Sequence, residues 1–248
     1  MKNSICYWCG SKANSMEHVP PKCLFPEEKD VKEITRKTYR DNLIRVPSCE
    51  EHNLKKSNLD EYLMVHLSGR VGNNFVAYLN TVTKVSRIRL RNPRIINIEK
   101  TDVVRIRNKE FPVLWINADT SKLTYSFESI ARGLYFNEYG SIFNGNCLVI
   151  TKLFKHPNDP EGSKFISRSF NLIESEQKHW KTEIKGSNPE IFTYQFSKVD
   201  GFNCQTVALN FYSGTMVYVV LNGMTEEQKV KLEPYTNTIT GIFFGDMD

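Results

Sequence analysis

Two pairs of residues near the start of the chain have the types and spacing of a metal clamp. Cys6-x2-Cys9 is followed at once by Gly10, the shape of a tight knuckle, and Cys49-x2-His52 lies forty residues further on. A structural zinc ion takes four ligands in a tetrahedron, and an x2 spacing lets two side chains from one turn reach the same ion. Two such pairs make a closed Cys3His site. Chance placement of two core cysteines and a surface histidine is the bland alternative, and two ligand pairs bracketing 39 residues make it the weaker one. Six cysteines stand at positions 6, 9, 23, 49, 147 and 204. The start, MKNSICYWCG, has no apolar leader, so metal is favoured over disulfides and a cytoplasmic setting is expected.

Between the pairs lies Met16-Glu17-His18-Val19-Pro20-Pro21-Lys22, and directly after the second pair come Asn53 and Lys56. The order CxxC, acidic-His-x-x-Pro-Lys, an Asn, then CxxHN-x-x-Lys resembles the HNH nuclease family, whose ββα-metal finger often carries a supporting zinc. The resemblance covers Cys6 to about Tyr62, a quarter of the chain. It implies that His18 is the general base for the attacking water and that Glu17 and Asn53 bind a catalytic divalent ion. It also implies that Asn42 pins the intervening loop and that Lys22 and Lys56 face phosphates. His52 is an alternative to Asn53 as ligand to that ion. The family's acidic position is more usually Asp, so Glu17 is a departure, as is the His ending the second pair.

The residue types suit that chemistry. Phosphodiester hydrolysis must neutralise charge growing on the phosphate and the leaving oxygen, which one hard cation does as Lewis acid and template. A carboxylate and an amide oxygen suit Mg²⁺ or Mn²⁺. An ordinary imidazole is largely neutral at working pH and accepts a proton from water. The zinc is a staple elsewhere, bringing Glu17-His18 and Asn53 together across 35 positions.

Charge points the same way. Of the 33 basic and 28 acidic residues, 21 and 13 fall in residues 1–110, a balance of +8, and the remainder balances at −3. A basic front half suits a polyanion, although such a balance is within ordinary variation. Arg87, Arg89 and Arg91 alternate with Val85, Ile88 and Leu90, which reads as an exposed strand with a basic face along a nucleic-acid backbone. A solvated, charge-protected edge is about equally good.

The elements that must position these groups follow from pattern. Residues 50–68 read as a helix with Leu59, Tyr62, Leu63, His66 and Leu67 on its buried face, ended near Gly69. Residues 113–116, 147–154, 191–196, 206–213, 215–222 and 240–245 read as strands, with 206–213 and 215–222 forming a hairpin. Residues 126–140 and 224–235 read as helices, the second capped by Thr225. The fold class is α+β: a small zinc-stapled ββα-metal finger (1–72), a basic connecting segment (73–110) and an α+β domain with a mainly antiparallel sheet (111–248). His66 reads as a packing residue, His156 and His179 as surface, and Cys23, Cys147 and Cys204 as buried thiols. No run approaches the roughly 20 apolar residues of a membrane helix.

The expectation is therefore a metal-dependent endonuclease acting on DNA, by the family's usual habit. One centre per chain nicks, and a homodimer or a partner protein held by the C-terminal domain would extend its reach. Anti-phage or anti-plasmid defence is the setting such an arrangement suits. The alternative is a catalytically inactive zinc-stapled module that binds nucleic acid or protein. A third reading, a hydrolase with an open zinc site, would depend on zinc alone.

Overall fold

The computed structural model describes residues 4–35, 37–156 and 158–244, and for residues 56, 58, 106 and 236–244 the backbone alone. Strand β1 (Ser15–His18) pairs antiparallel with β2 (Arg45–Ser48), with Glu17 opposite Val46 and His18 opposite Arg45. The connection between them carries a 3-10 turn at Lys22–Leu24 and the short helix α1 (Glu28–Val31). Helix α2 (Glu50–Ser68) starts directly after β2, with Cys49 at its N-cap and Gly69 after its last turn. The buried face expected of it is present, with Leu63, His66 and Leu67 buried.

Residues 75–91 run as helix α3 (Phe75–Asn80), a π turn (Thr81–Val85) and helix α4 (Ser86–Arg91). This corrects the strand expected through the three arginines. Val76, Asn80, Lys84 and Ile88 recur every fourth position and are all buried, so one helical stripe decides the conformation and the local alternation does not. Leu90, read as the strand's apolar side, is 85% exposed. Two of the arginines are already paired: Arg87 grips Asp30 through both carboxylate oxygens, and Arg91 meets Glu61 at 2.8 Å.

A two-stranded ribbon follows, β3 (Ile98–Ile106) with β4 (Lys109–Ile116), closed by Arg107-Asn108. Helix α5 (Thr120–Tyr139) is capped by Asp119 and stopped by Gly140 at φ 65°. Its end is where the sequence reading puts it, and its start lies six residues earlier.

The main sheet is antiparallel throughout, in the order β5-β9-β8-β7-β6. Its strands are β5 (Asn146–Ile150), β6 (Lys185–Asn188), β7 (Phe192–Phe196), β8 (Cys204–Phe211) and β9 (Thr215–Asn222). Alternation sorts its two faces. Val207, Leu209, Phe211, Val217, Val219 and Leu221 join the main core, where Phe127 of α5 meets Phe211. Ala208 and Tyr218 face Phe170 of helix α6 (Pro160–Gln177). The main core continues without a break into Tyr7, Val19, Leu24, Val46 and Leu63.

The last helix, α7 (Glu226–Phe244), begins with the Thr225 cap, whose hydroxyl accepts from Gln228 N–H while Gln228 accepts from Thr225 N–H. It runs through the segment expected as a strand at 240–245, apart from Gly245, which lies outside the described residues. Apolar, β-branched residues make a strand only beside a pairing partner, whereas an established helix gains a hydrogen bond with each residue added. The mixture of helices with an antiparallel sheet fits α+β. Among the described residues no helix is long and apolar enough to cross a membrane.

Candidate metal centre

The knuckle at the start of the chain is built by its backbone. Cys6 N–H donates to Ser11 O, Gly10 N–H returns to Cys6 O, and Gly10 takes φ 74°, which a side chain would strain. The second pair sits on the first turn of α2, where Asn53 N–H donates to Cys49 O and fixes the entry to the helix. The ligand atoms of Cys6, Cys9, Cys49 and His52 all lie within 4.8 Å of one another. Cys9 Sγ and Cys49 Sγ are 3.8 Å apart, and His52 Nδ1 is 3.1 Å from Cys49 Sγ and 3.9 Å from Cys6 Sγ.

These separations can be set against a tetrahedron. Bonds of about 2.3 Å to sulfur and 2.0 Å to nitrogen give edges of about 3.8 Å and 3.5 Å. The three separations lie within about 0.4 Å of these edges, so the geometry is compatible with a zinc site. Burial pulls the His52 imidazole below its ordinary value, which favours the neutral form a metal requires. Burial pushes the Cys49 thiol up, a cost that a divalent cation offsets.

A stack of rings fixes the clamp to the rest of the molecule. Trp8, inside the knuckle, lies on His52 at 5.2 Å and on Tyr125 of α5 at 5.1 Å between ring centroids. The Arg132 guanidinium sits 5.0 Å from the Trp8 centroid, held by Glu128 and by the carbonyls of Phe143 and Gly145. Sequence reading missed this support. Trp8 is inside CYWC and could have been noticed, but Tyr125 and Arg132 lie more than a hundred positions away.

The other expected residues are distributed as follows. Glu17 is 6% exposed and lies close enough to Tyr7 for its charge to act on the hydroxyl. Burial and then the Glu17 charge raise Tyr7 well above the usual tyrosine range and bring Tyr125 to about 12. His18 is the last residue of β1 and half-buried. As strand neighbours, Glu17 and His18 leave the ribbon on opposite faces. Asn53 is half-buried on the first turn of α2.

Asn42 is exposed in the turn before β2 at φ 54°, a conformation asparagine tolerates. Its carbonyl accepts from Ser187 Oγ at 3.0 Å, tying this loop to the edge of the main sheet. Lys22 is exposed, and the Lys56 side chain lies outside the described residues. Of the arginine stripe, Arg89 alone is free of an ion pair among the described residues. His66 is buried, with Nδ1 at 2.8 Å from Tyr62 O, a packing position as expected.

The loop that follows His18 carries a feature the sequence did not reveal. Its three successive carbonyls are collected by buried donors. Lys84 Nζ reaches Cys23 O and Phe25 O, while the Tyr212 hydroxyl and Asn80 Nδ2 both reach Leu24 O. Compared with known proteins, the chain matches no family model, no curated protein and no solved structure.

Proposed function

We propose that this chain is a metal-dependent phosphodiester hydrolase of the HNH kind, with nucleic acid, DNA foremost, as its substrate. The observation that carries the reading is the convergence of Cys6, Cys9, Cys49 and His52. That clamp joins the knuckle leading into β1 to the first turn of α2. The β1–β2 ribbon ends on His18, and the same turn that supplies His52 supplies Asn53.

Zinc bound there is a staple, because four protein donors leave it no open position. The same closure speaks against a hydrolase working through an open zinc site. A second divalent ion, Mg²⁺ or Mn²⁺, would supply Lewis acidity to the scissile phosphate, with Asn53 and Glu17 as the groups to hold it. His18 takes the proton from the attacking water. Asn42 keeps the preceding loop in place, and Lys22 and Lys56 offer positive charge to phosphates. One such centre per chain cuts one strand, so cutting both takes two copies.

The test is incubation of supercoiled plasmid with the protein and Mg²⁺ or Mn²⁺, read on a gel. Wild type is expected to nick, and His18→Ala to lose about a hundredfold or more of the rate with zinc content and melting temperature unchanged. A second reading, an inactive zinc-clamped binding module, is favoured by one observation: Glu17 is almost fully enclosed and engaged by Tyr7. Wild type that binds DNA and never cuts it with either metal would decide for that reading.

A further inference from the structure

We infer that the β3–β4 ribbon is an arm that enters a groove of duplex DNA, its tip cations contacting phosphates. This rests on the reading above that the chain acts on nucleic acid. The ribbon is a separate two-stranded sheet, and every described side chain along it is exposed or half-exposed, with none buried on either face. An isolated hairpin gains little stability in water and normally has something to lie against.

Its charges are sorted along its length. Glu99 and Asp102 lie near the base, where Lys100 meets Asp102 at 3.4 Å. At the tip, Arg105, Arg107 and Lys109 fall within five residues. Arg105 is paired with Glu110 at 2.7 Å, and Arg107 and Lys109 have no ion pair among the described residues. Arg89 and Arg94, also without ion pairs there, lie just before the ribbon in the chain. The turn itself is made by Arg107 at φ 47° and Asn108 at φ 62°. A two-residue turn of this type favours Asn or Gly at both places, so the arginine at the first is placed against local preference and puts its charge at the extreme end.

Size fits the occupant. Strands of eight and nine residues extend about 30 Å, and a major groove about 12 Å wide admits a two-stranded ribbon. The face bearing Val104, Phe111, Val113 and Trp115, with Phe111 and Trp115 45% and 43% exposed, would lie along the groove wall and the thymine methyls. The tip cations would release counterions from the backbone on each side.

The experiment measures binding of a fluorescent 30-base-pair duplex in EDTA, where no cutting occurs, across a salt series. Wild type is compared with Arg107→Asn/Lys109→Gln, a pair that suits the turn and alters the strands only at the first residue of β4. Lys178→Ser/Lys181→Ser, which removes two exposed cations elsewhere, is the control. Loss of two phosphate contacts should flatten the log–log salt slope by about 1.8 and weaken binding roughly tenfold or more at moderate salt. The control should bind within about twofold of wild type.

Tip and control variants that weaken binding alike, or a tip variant that binds as wild type does, would overturn the proposal. So would wild type that binds only single strands, or a ribbon that instead mediates self-association in sedimentation. Plasmid cutting is scored separately. Tip-dependent binding without cutting removes the nuclease reading and leaves the arm, and cutting with tip-independent binding does the reverse.

Discussion

Lys84 shows how much a single side chain contributes to the loop after His18. It is 6% exposed, and its ammonium donates to Cys23 O at 2.6 Å and Phe25 O at 2.9 Å. Burial, and then the nearby Arg40 charge, lower its pKa from 10.5 to about 8, against the partial help of Cys23, Glu27 and Asp30. Between those two values the unfolded chain binds more protons than the folded one, so stability rises with pH. The penalty is fully present below about pH 8 and is relieved as pH approaches 10.5. From pH 7 to 9.5 the gain from this residue is about 2 kcal/mol. Denaturant unfolding of wild type and Lys84→Met at both pH values checks it. The wild type should gain about that much relative to the variant, a comparison that cancels the buried tyrosines, which shift the other way. Equal pH dependence in the two proteins would show that Lys84 keeps its ordinary pKa in the fold and stays charged over this range.

At the scale of elements, helix α5 comes close to the residue after β1 at Gly133. A Cβ there would lie 2.7 Å from Val19 Cγ2, one residue past His18, and Val19 is buried with a stiff branched side chain. Gly133→Ala should gain about 1 kcal/mol of helix propensity and lose about 1–3 kcal/mol to overpacking. The expected net effect is destabilisation, relieved when Val19→Ala is added, and a double-mutant cycle by chemical denaturation measures it. A single Gly133→Ala that stabilises would mean that α5 and β1 slide apart freely.

What could be read of these elements beforehand follows from how local each signal is. The clamp was legible because ligand type and spacing are carried by four residues. Helix α2 and the end of α5 were legible from glycine stops at 69 and 140. Helix α4 was misread because the alternation of Arg87 to Arg91 is local, whereas the stripe from Val76 to Ile88 runs over more than three turns. Helix α6 opens with Asp159-Pro160, an N-cap followed by proline at the first turn, a signal that was present and passed over. The β3–β4 turn lacks the glycine that usually advertises a hairpin. Lys84, Asn80 and Tyr212 could not be found, because a buried donor makes sense only once the carbonyls it serves arrive from elsewhere in the chain.

For the whole molecule, the clamp region is tied to α5 and to the main sheet at fixed atoms. Tyr212, in the turn between β8 and β9 at φ 52°, is fully enclosed and donates to Leu24 O at 2.7 Å. Gly133 admits Val19, and Trp8 stacks on both His52 and Tyr125. With one core running through all three, loosening the clamp must loosen what it leans on. Removing the metal with a chelator under reducing conditions should therefore lower the melting temperature of the entire chain in one transition. A loss of about 4 kcal/mol in a chain of this size corresponds to roughly 10 °C. Calorimetry before and after chelation, with hydrogen exchange on β8 and β9, measures both the shift and its reach. Two separated transitions, with the upper one indifferent to the chelator, would mean the clamp folds by itself and the ties through Leu24, Val19 and Trp8 contribute little. A single shifted transition would make the metal a determinant of the sheet's stability more than a hundred residues along the chain. The loop after His18 would then be held from both sides, by the clamp before it and by the sheet's turn above it.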